Sequence, residues 1–271
     1  MFKQLLVATL ISASLISCTT SPTGRTQLMV ISPDKAITES ETAYLSTVSE
    51  LNQKQQIVKD AAVVNRVRNI TGRLVTEAIK MYPKTQRWKW SVAIINDPET
   101  LNAWCMAGGR MAIYTGIINK LSLTDDELAQ IMGHEISHAL ANHTAERMSR
   151  AIVINAGMVA ASKLSENNQL VLGGSALAAK LALELPNSRT AETEADRIGT
   201  ELAARAGYNP KAAVTLWNKM SKASGSSSPE FLSTHPSSGN RAKELGKLAP
   251  EMLKLNPQLT KATVYPITIV Q

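Results

Sequence analysis

The residues of this 271-residue sequence best suited to chemistry stand together at His134-Glu135-Ile136-Ser137-His138. Positions i and i+4 of an α-helix lie one turn apart, about 40° around and about 6 Å along the axis, so both imidazoles can reach a single metal ion. Glu135 projects beside that pair, where a carboxylate can take a proton from water without itself ligating the metal. H-E-x-x-H is the spacing with which zinc and a glutamate general base turn water against a peptide bond. Such a centre takes three protein ligands and keeps a fourth position for water, so one more ligand must come from elsewhere in the chain.

The sequence holds two further histidines, His143 and His235. On a continued helix, His143 would sit about 140° around from His138 and face elsewhere, which rejects it as a ligand. A better source is Arg189-Thr-Ala-Glu192-Thr-Glu194-Ala-Asp196-Arg197. Glu192 and Asp196 fall on one helical face, and Glu194 points roughly opposite. One carboxylate of that pair can bind the metal. The other can accept a hydrogen bond from the non-ligating nitrogen of a ligand histidine and fix its tautomer.

These side chains need a scaffold, and its outline follows from periodicity. Thr124 and Glu127 form a capping box, with Asp125 and Asp126 in the first turn, where the helix dipole favours acids. Leu128, Ile131, Met132, Ile136 and Leu140 then recur at helical spacing, which predicts a half-buried helix carrying the two histidines. Upstream, Ser32-Pro33-Asp34 starts a helix that runs to about Gln55, and a second runs from about Val58 to Tyr82, stopped by Pro83. Trp88, Trp90, Val92 and Ile94 alternate as one face of a strand, with Lys84, Arg87 and Lys89 on its outer side. After the turn at Gly108-Gly109, Met111–Thr115 reads as a second strand. That strand is expected to be an exposed edge on which an extended peptide pairs, with Asn102, Ala103, Trp104, Met111, Ala112, Ile113 and Tyr114 as the substrate-binding residues.

Downstream, Ala151–Ala161 and Leu170–Leu185 read as a helical hairpin that covers the active-site helix or folds over the cleft, both too short for a membrane span. Helices follow at Ser188–Ala206, ended by Gly207, at Lys211–Lys222 and at Asn240–Leu248, with a loop at Ser224–Pro229 and irregular chain at Phe231–Pro236. Thr263–Val270 holds a strand at most. The fold class is therefore α+β and mostly helical, with a small sheet whose edge strand flanks the active-site helix.

Composition narrows the class further. The excess of 29 Lys and Arg over 22 Asp and Glu is spread along the chain, and only 4% of residues are aromatic, so a nucleic-acid partner is not expected. Met1-Phe-Lys3 followed by the apolar run Leu5–Ile16 is a secretory signal. Leu15-Ile16-Ser17-Cys18 looks like a bacterial lipobox, which makes Cys18 the lipidated terminus and Thr19, in place of Asp, a cue for the outer membrane. The remaining cysteine, Cys105, then has no partner within the chain and is expected to be buried. The predicted division is a signal peptide at 1–17, a lipidated tether at 18–33, the metallopeptidase domain at 34–250 and a tail at 251–271.

H-E-x-x-H, then Glu192-Thr-Glu194-Ala-Asp196-Arg197-Ile-Gly199, then Thr234-His235-Pro236 and Arg241 resemble the Ste/HtpX/Oma family of gluzincin metallopeptidases. Within it the lipobox, Asn102-Ala-Trp-Cys-Met106, Gly108-Gly109 and His138-Ala-Leu-Ala-Asn-His143 are similar to the LoiP/BepA-like outer-membrane lipoproteins. The resemblance implies a zincin-like domain with zinc on His134, His138 and Glu192, Glu135 as general base and Asp196 behind the ligands. It implies that His235 approaches the metal and regulates access, and that Arg241 lies near the site; either could supply the donor an oxyanion requires. It also implies unfolded or misassembled envelope polypeptides as substrates, at the periplasmic face of the outer membrane. The alternative is a latent or non-catalytic zinc-binding, chaperone-like lipoprotein with His235 closing the fourth position.

Overall fold

The computed structural model describes residues 18–164, 187–223, 230–236 and 240–270. The predicted signal peptide, the Leu170–Leu185 limb of the helical hairpin and the Ser224–Pro229 loop lie outside the described residues.

The chain begins with two short antiparallel strands, β1 (Cys18–Thr20) and β2 (Thr26–Leu28). The segment 18–33, expected as a lipidated tether, folds back onto the protein and buries Ser21 and Gln27. Helix α1 (Pro33–Gln53) starts where Ser32 caps the Lys35 amide and Pro33 occupies the first turn. Helix α2 (Ala61–Met81) is capped by Asp60 and gives way to a 3-10 turn, Pro83–Arg87. Lys84 and Arg87 belong to that turn and not to the outer face of a strand.

Strands β3 (Ser91–Ile95), β4 (Ala103–Met106), β5 (Arg110–Tyr114) and β6 (Thr268–Val270) form one four-stranded sheet in the order β4-β5-β3-β6. β5 and β6 run parallel to β3, and β4 runs antiparallel to β5. The alternation read from Trp88 onward does not describe β3, all of whose residues are buried. Val92 and Ile94 enter the main core, while Ala93 and Ile95 pack against Val48 and Leu51 of α1. A strand covered on both faces reads as a continuous apolar run. Sheet order also corrects the expected edge. β5 is hydrogen-bonded on both sides, and Met111, Ala112 and Ile113 are fully buried, so the edge strand beside the active-site helix is β4.

The helical half continues with α3 (Thr115–Lys120), α4 (Asp125–Leu140) and α5 (His143–Leu164). It is completed by α6 (Arg189–Arg205), α7 (Ala212–Ala223), α8 (Glu230–Thr234) and α9 (Arg241–Leu253). The irregular chain expected at Phe231–Pro236 is thus a short helix as far as Thr234. Thr124 and Glu127 make both halves of the capping box at the start of α4.

Helix α4 is the centre of the fold and not a half-buried surface helix, since every residue from Glu127 to Leu140 is buried. Leu128, Ile131, Met132 and Ile136 are fully enclosed, each worth ~1.5–3 kcal/mol of transfer free energy. α2, β4, α6 and α7 surround it. Its contact with α6 is made through glycine: a Cβ at Gly133 would meet the Gly199 carbonyl at 2.9 Å, and one at Gly199 would meet the His134 nitrogen at 2.7 Å. No other residue lets these two backbones approach so closely, and that approach brings the Glu192 face of α6 against the histidines of α4. Beyond α9 the tail returns to the sheet, with the Tyr265 amide bonded to the Gly72 carbonyl before β6. No helix among the described residues is long and apolar enough to cross a membrane.

Candidate metal centre

Four side chains from three parts of the chain converge on one point. α4 supplies His134 and His138, α6 supplies Glu192, and His235 arrives directly after α8; each offers a donor atom, and all are buried. His134 Nε2 lies 3.1 Å from His138 Nε2 and 3.2 Å from His235 Nδ1. Glu192 carboxylate oxygens lie 3.3 Å from His134 Nε2, 3.4 Å from His138 Nε2 and 3.1 Å from His235 Nδ1. Zinc binds imidazole nitrogen and carboxylate oxygen at about 2.0–2.2 Å in a tetrahedron, whose edges are then about 3.3–3.6 Å. The donor spacings approach that figure, so these residues fit zinc, and His235 Nδ1 stands at the vertex a water would need.

The same residues perturb one another's protonation. Burial and Arg241 push His134 down, but hydrogen bonds to Asp196 and Glu192 outweigh them and raise it to about 9. Burial pushes Glu192 up, yet the surrounding His138, His235 and His134 hold it far below the usual carboxylate range. Burial drives His138 down, which keeps its ring neutral with a lone pair to offer.

Behind the ligands, Asp196 Oδ1 lies 3.1 Å from His134 Nδ1, leaving Nε2 for the metal. Arg241 grips Asp196 through Nε and Nη2, each at 2.6 Å, and reaches Glu192 Oε2 at 3.0 Å. Its guanidinium lies 3.6 Å over the Trp217 ring. So held, with Nη2 3.2 Å from His134 Nδ1 and 3.3 Å from its Nε2, Arg241 can position the ligands.

His143 faces the site, whereas the helical spacing turns it elsewhere. Asn142 adopts a φ of 56°, which ends α4 and starts α5 in a new direction. His143 therefore turns toward His138, with 2.8 Å between the two Nδ1 atoms, and its Nε2 lies 3.0 Å from Glu194 Oε2. Neither belongs to the donor group, but His143 stands directly behind His138 and Glu194 stands behind His143. The available signal was Ala141-Asn142, because asparagine is among the few residues that tolerate the left-handed turn ending a helix.

Glu135 faces a cavity of about 200 Å³ lined among others by Asn102, Trp104, Tyr114, Arg147 and His235. Its Oε1 is buried without a hydrogen bond, 3.4 Å from His235 Nε2. Burial pushes the carboxyl up, opposed by His235 and His134. β4 forms one wall: Asn102, Ala103 and Trp104 line the cavity, as does Tyr114 at the end of β5. Asn102 Nδ2 donates to Glu230 Oε1 at 3.1 Å, tying the start of α8 to this wall. Cys105 is buried here too, and Cys18 is exposed. Sequence reasoning missed Arg147, a buried cation hydrogen-bonded to Asn187, whose amide nitrogen in turn lies 3.4 Å from His235 Nδ1. Nothing local marks either residue, since they meet only in the folded chain.

Known sequences are similar to this chain. The chain is 33% identical over 245 residues to the mitochondrial metalloendopeptidase OMA1 of Bos taurus, covering 86% of this chain and 46% of that protein. The OMA1 protein of Saccharomyces cerevisiae is 33% identical over 180 residues, 63% of this chain and 50% of its own. The beta-barrel assembly-enhancing protease of Escherichia coli is 27% identical over 272 residues, 93% of this chain and 54% of its own. The chain thus spans about half the length of the curated relatives it matches. The description "Peptidase family M48" matches residues 62–249, a span that contains every donor atom described above, and the chain belongs to that family.

Proposed function

We propose that this chain is a zinc endopeptidase of the bacterial cell envelope that cleaves unfolded or misassembled polypeptides, held by a lipid on Cys18 at the periplasmic face of the outer membrane. The observation that carries the reading is the placement of Glu135. It is a buried carboxylate with a free oxygen, beside a four-donor metal group and at the floor of a cavity walled by an edge strand.

Zinc in such a site lowers the pKa of water toward 7 and polarises a peptide carbonyl. Glu135 takes the proton from the attacking water and passes it to the leaving amine. Asp196 and His143 hold the two ligand rings in the tautomers that leave Nε2 free. β4 pairs with no strand on its outer side among the described residues, so an extended substrate can add there, favouring unfolded chains over compact ones. Membership of family M48 and likeness to proteins named as metalloendopeptidases support the reaction, and the Escherichia coli relative's name supports a place in the envelope.

The test is zinc content and casein cleavage by the purified chain, with Glu135→Gln beside it. Zinc in both and cleavage only by the unsubstituted chain supports the reading, with a loss in the variant of about 10²–10⁴-fold. Absence of zinc from both would overturn it.

One observation favours a second reading, a latent enzyme or closed zinc centre. His235 Nδ1 completes the donor group that catalysis needs open. In that reading the arrangement seen is the resting one, and withdrawal of the His235 loop admits water.

A further inference from the structure

An unbroken run of hydrogen bonds leads from the metal centre to the N-terminal hairpin. His138 presents Nε2 to the other donors, and its Nδ1 faces His143 Nδ1 at 2.8 Å. His143 Nε2 faces Glu194 Oε2 at 3.0 Å. An ionised carboxylate only accepts, so the His143 proton must sit on Nε2 and its Nδ1 must be an acceptor. His138 must then carry its own proton on Nδ1, which leaves Nε2 a bare lone pair aimed at the metal. Glu194 thus dictates the tautomer of a ligand two residues removed from it in the run.

What holds Glu194 is the hairpin. Thr23 Oγ1 donates to Glu194 Oε1 at 2.6 Å, and Arg25 Nε donates to Oε2 at 3.1 Å. The two terminal nitrogens of Arg25 clasp both oxygens of Glu146 on α5, at 2.9 and 2.7 Å. Gln27 Nε2 joins Glu146, at 2.9 Å, to the Ala141 carbonyl at the end of α4, at 2.8 Å. The hairpin therefore closes over the junction between α4 and α5, where Asn142 turns His143 inward. Gln27, His143, Glu146 and Glu194 are all buried, and Arg25 is half-buried over them.

We propose that the β1–β2 hairpin is part of the metal centre: by gripping Glu194 through Thr23 and Arg25, it fixes His143 and, through it, the tautomer and aim of His138, and so sets zinc affinity. The proposal rests on the zinc centre and not on peptidase activity, and its test reads metal binding alone.

Zinc dissociation constants of the full chain, measured by competition with a chromogenic chelator, would be compared for Arg25→Ala, His143→Ala and His143→Gln. Melting temperatures with and without zinc accompany them. His143→Ala is expected to weaken zinc about 10–100-fold, the usual cost of losing a partner behind a ligand histidine, and Arg25→Ala about tenfold. His143→Gln is expected to bind close to the original chain, because its amide oxygen accepts from His138 Nδ1 and its amide nitrogen donates to Glu194. Zinc should also raise the melting temperature of the two alanine variants less than it raises that of the original chain. Should His143→Ala not fold, Arg25→Ala and His143→Gln decide. Zinc affinity in Arg25→Ala within about twofold of the original, with melting lowered equally in the apo and loaded forms, would reduce the hairpin to packing and overturn the proposal. So would a Gln variant as weak as the Ala variant.

Discussion

His235 Nδ1 stands 3.2 Å from His134 Nε2, so the loop after α8 delivers an imidazole nitrogen to the vertex that a hydrolytic zinc centre reserves for water. Three of the four donors ride on long helices that meet across the Gly133–Gly199 contact; the fourth comes from a segment next to a short helix. Phe231 stacks on His235 with ring centroids 4.4 Å apart, so the ring is held from behind by its own helix.

Replacing His235 by alanine separates the two readings of this vertex. In a latent enzyme the remaining His134, His138 and Glu192 keep the metal and casein cleavage rises. If the closed arrangement holds about nine-tenths of the molecules, the rise is about tenfold. In a closed structural centre the variant loses zinc instead. Metal content by atomic absorption and casein cleavage on one sample decide.

Asp196→Asn is expected to weaken zinc about 10–100-fold by loosening His134. The same change strips the bidentate partner from a buried Arg241, so folding stability should fall by about 3 kcal/mol. Chelator competition reads the first effect and urea denaturation of the apo chain the second. Unchanged zinc affinity would show that Asp196 serves only Arg241.

Thr124 lies at the far end of the same helix, away from the metal. Thr124→Ala removes its side-chain bond to the Glu127 amide, at 3.3 Å, and should cost about 1 kcal/mol, or about 2–4 °C in melting temperature. Zinc affinity should not change. A variant that loses zinc as well would mean that the cap helps to place the ligands.

Glu146 and Glu194 make the hairpin sensitive to acid. Burial pushes each carboxyl up, but Arg25 and Gln27 at Glu146, and His143, Ser21 and Thr23 at Glu194, outweigh it and hold both below the ordinary value. The unfolded chain therefore binds protons first as pH falls, and the stability these groups contribute is present above about pH 5 and lost toward their lowered folded values. Melting temperature should drop between about pH 5 and 3, and Glu146→Gln should show a lower value at neutral pH with a shallower slope. Parallel slopes for the two chains would contradict this account.

The sequence by itself determined what depends on near neighbours. Helical periodicity located α1, α2, α4, α6 and α9 because an apolar stripe and a capping residue are local properties, and Thr124 with Glu127 named the first turn of α4 outright. The spacing of His134 and His138 placed two imidazoles on one face for the same reason. The tertiary structure decided what depends on pairing between distant segments. Which acid of the Glu192/Asp196 pair reaches the donor group follows from the depth to which α6 packs on α4 through two glycines. β4 and not β5 is the open edge because β5 is paired on one side with β3 and on the other with β4. His143 serves the centre because one backbone angle at Asn142 redirects the chain, and Glu194 serves it because the segment around Thr23 and Arg25 folds back. Periodicity records which way a side chain points from its own helix, while the neighbour it meets is set by close packing of elements that the sequence keeps far apart.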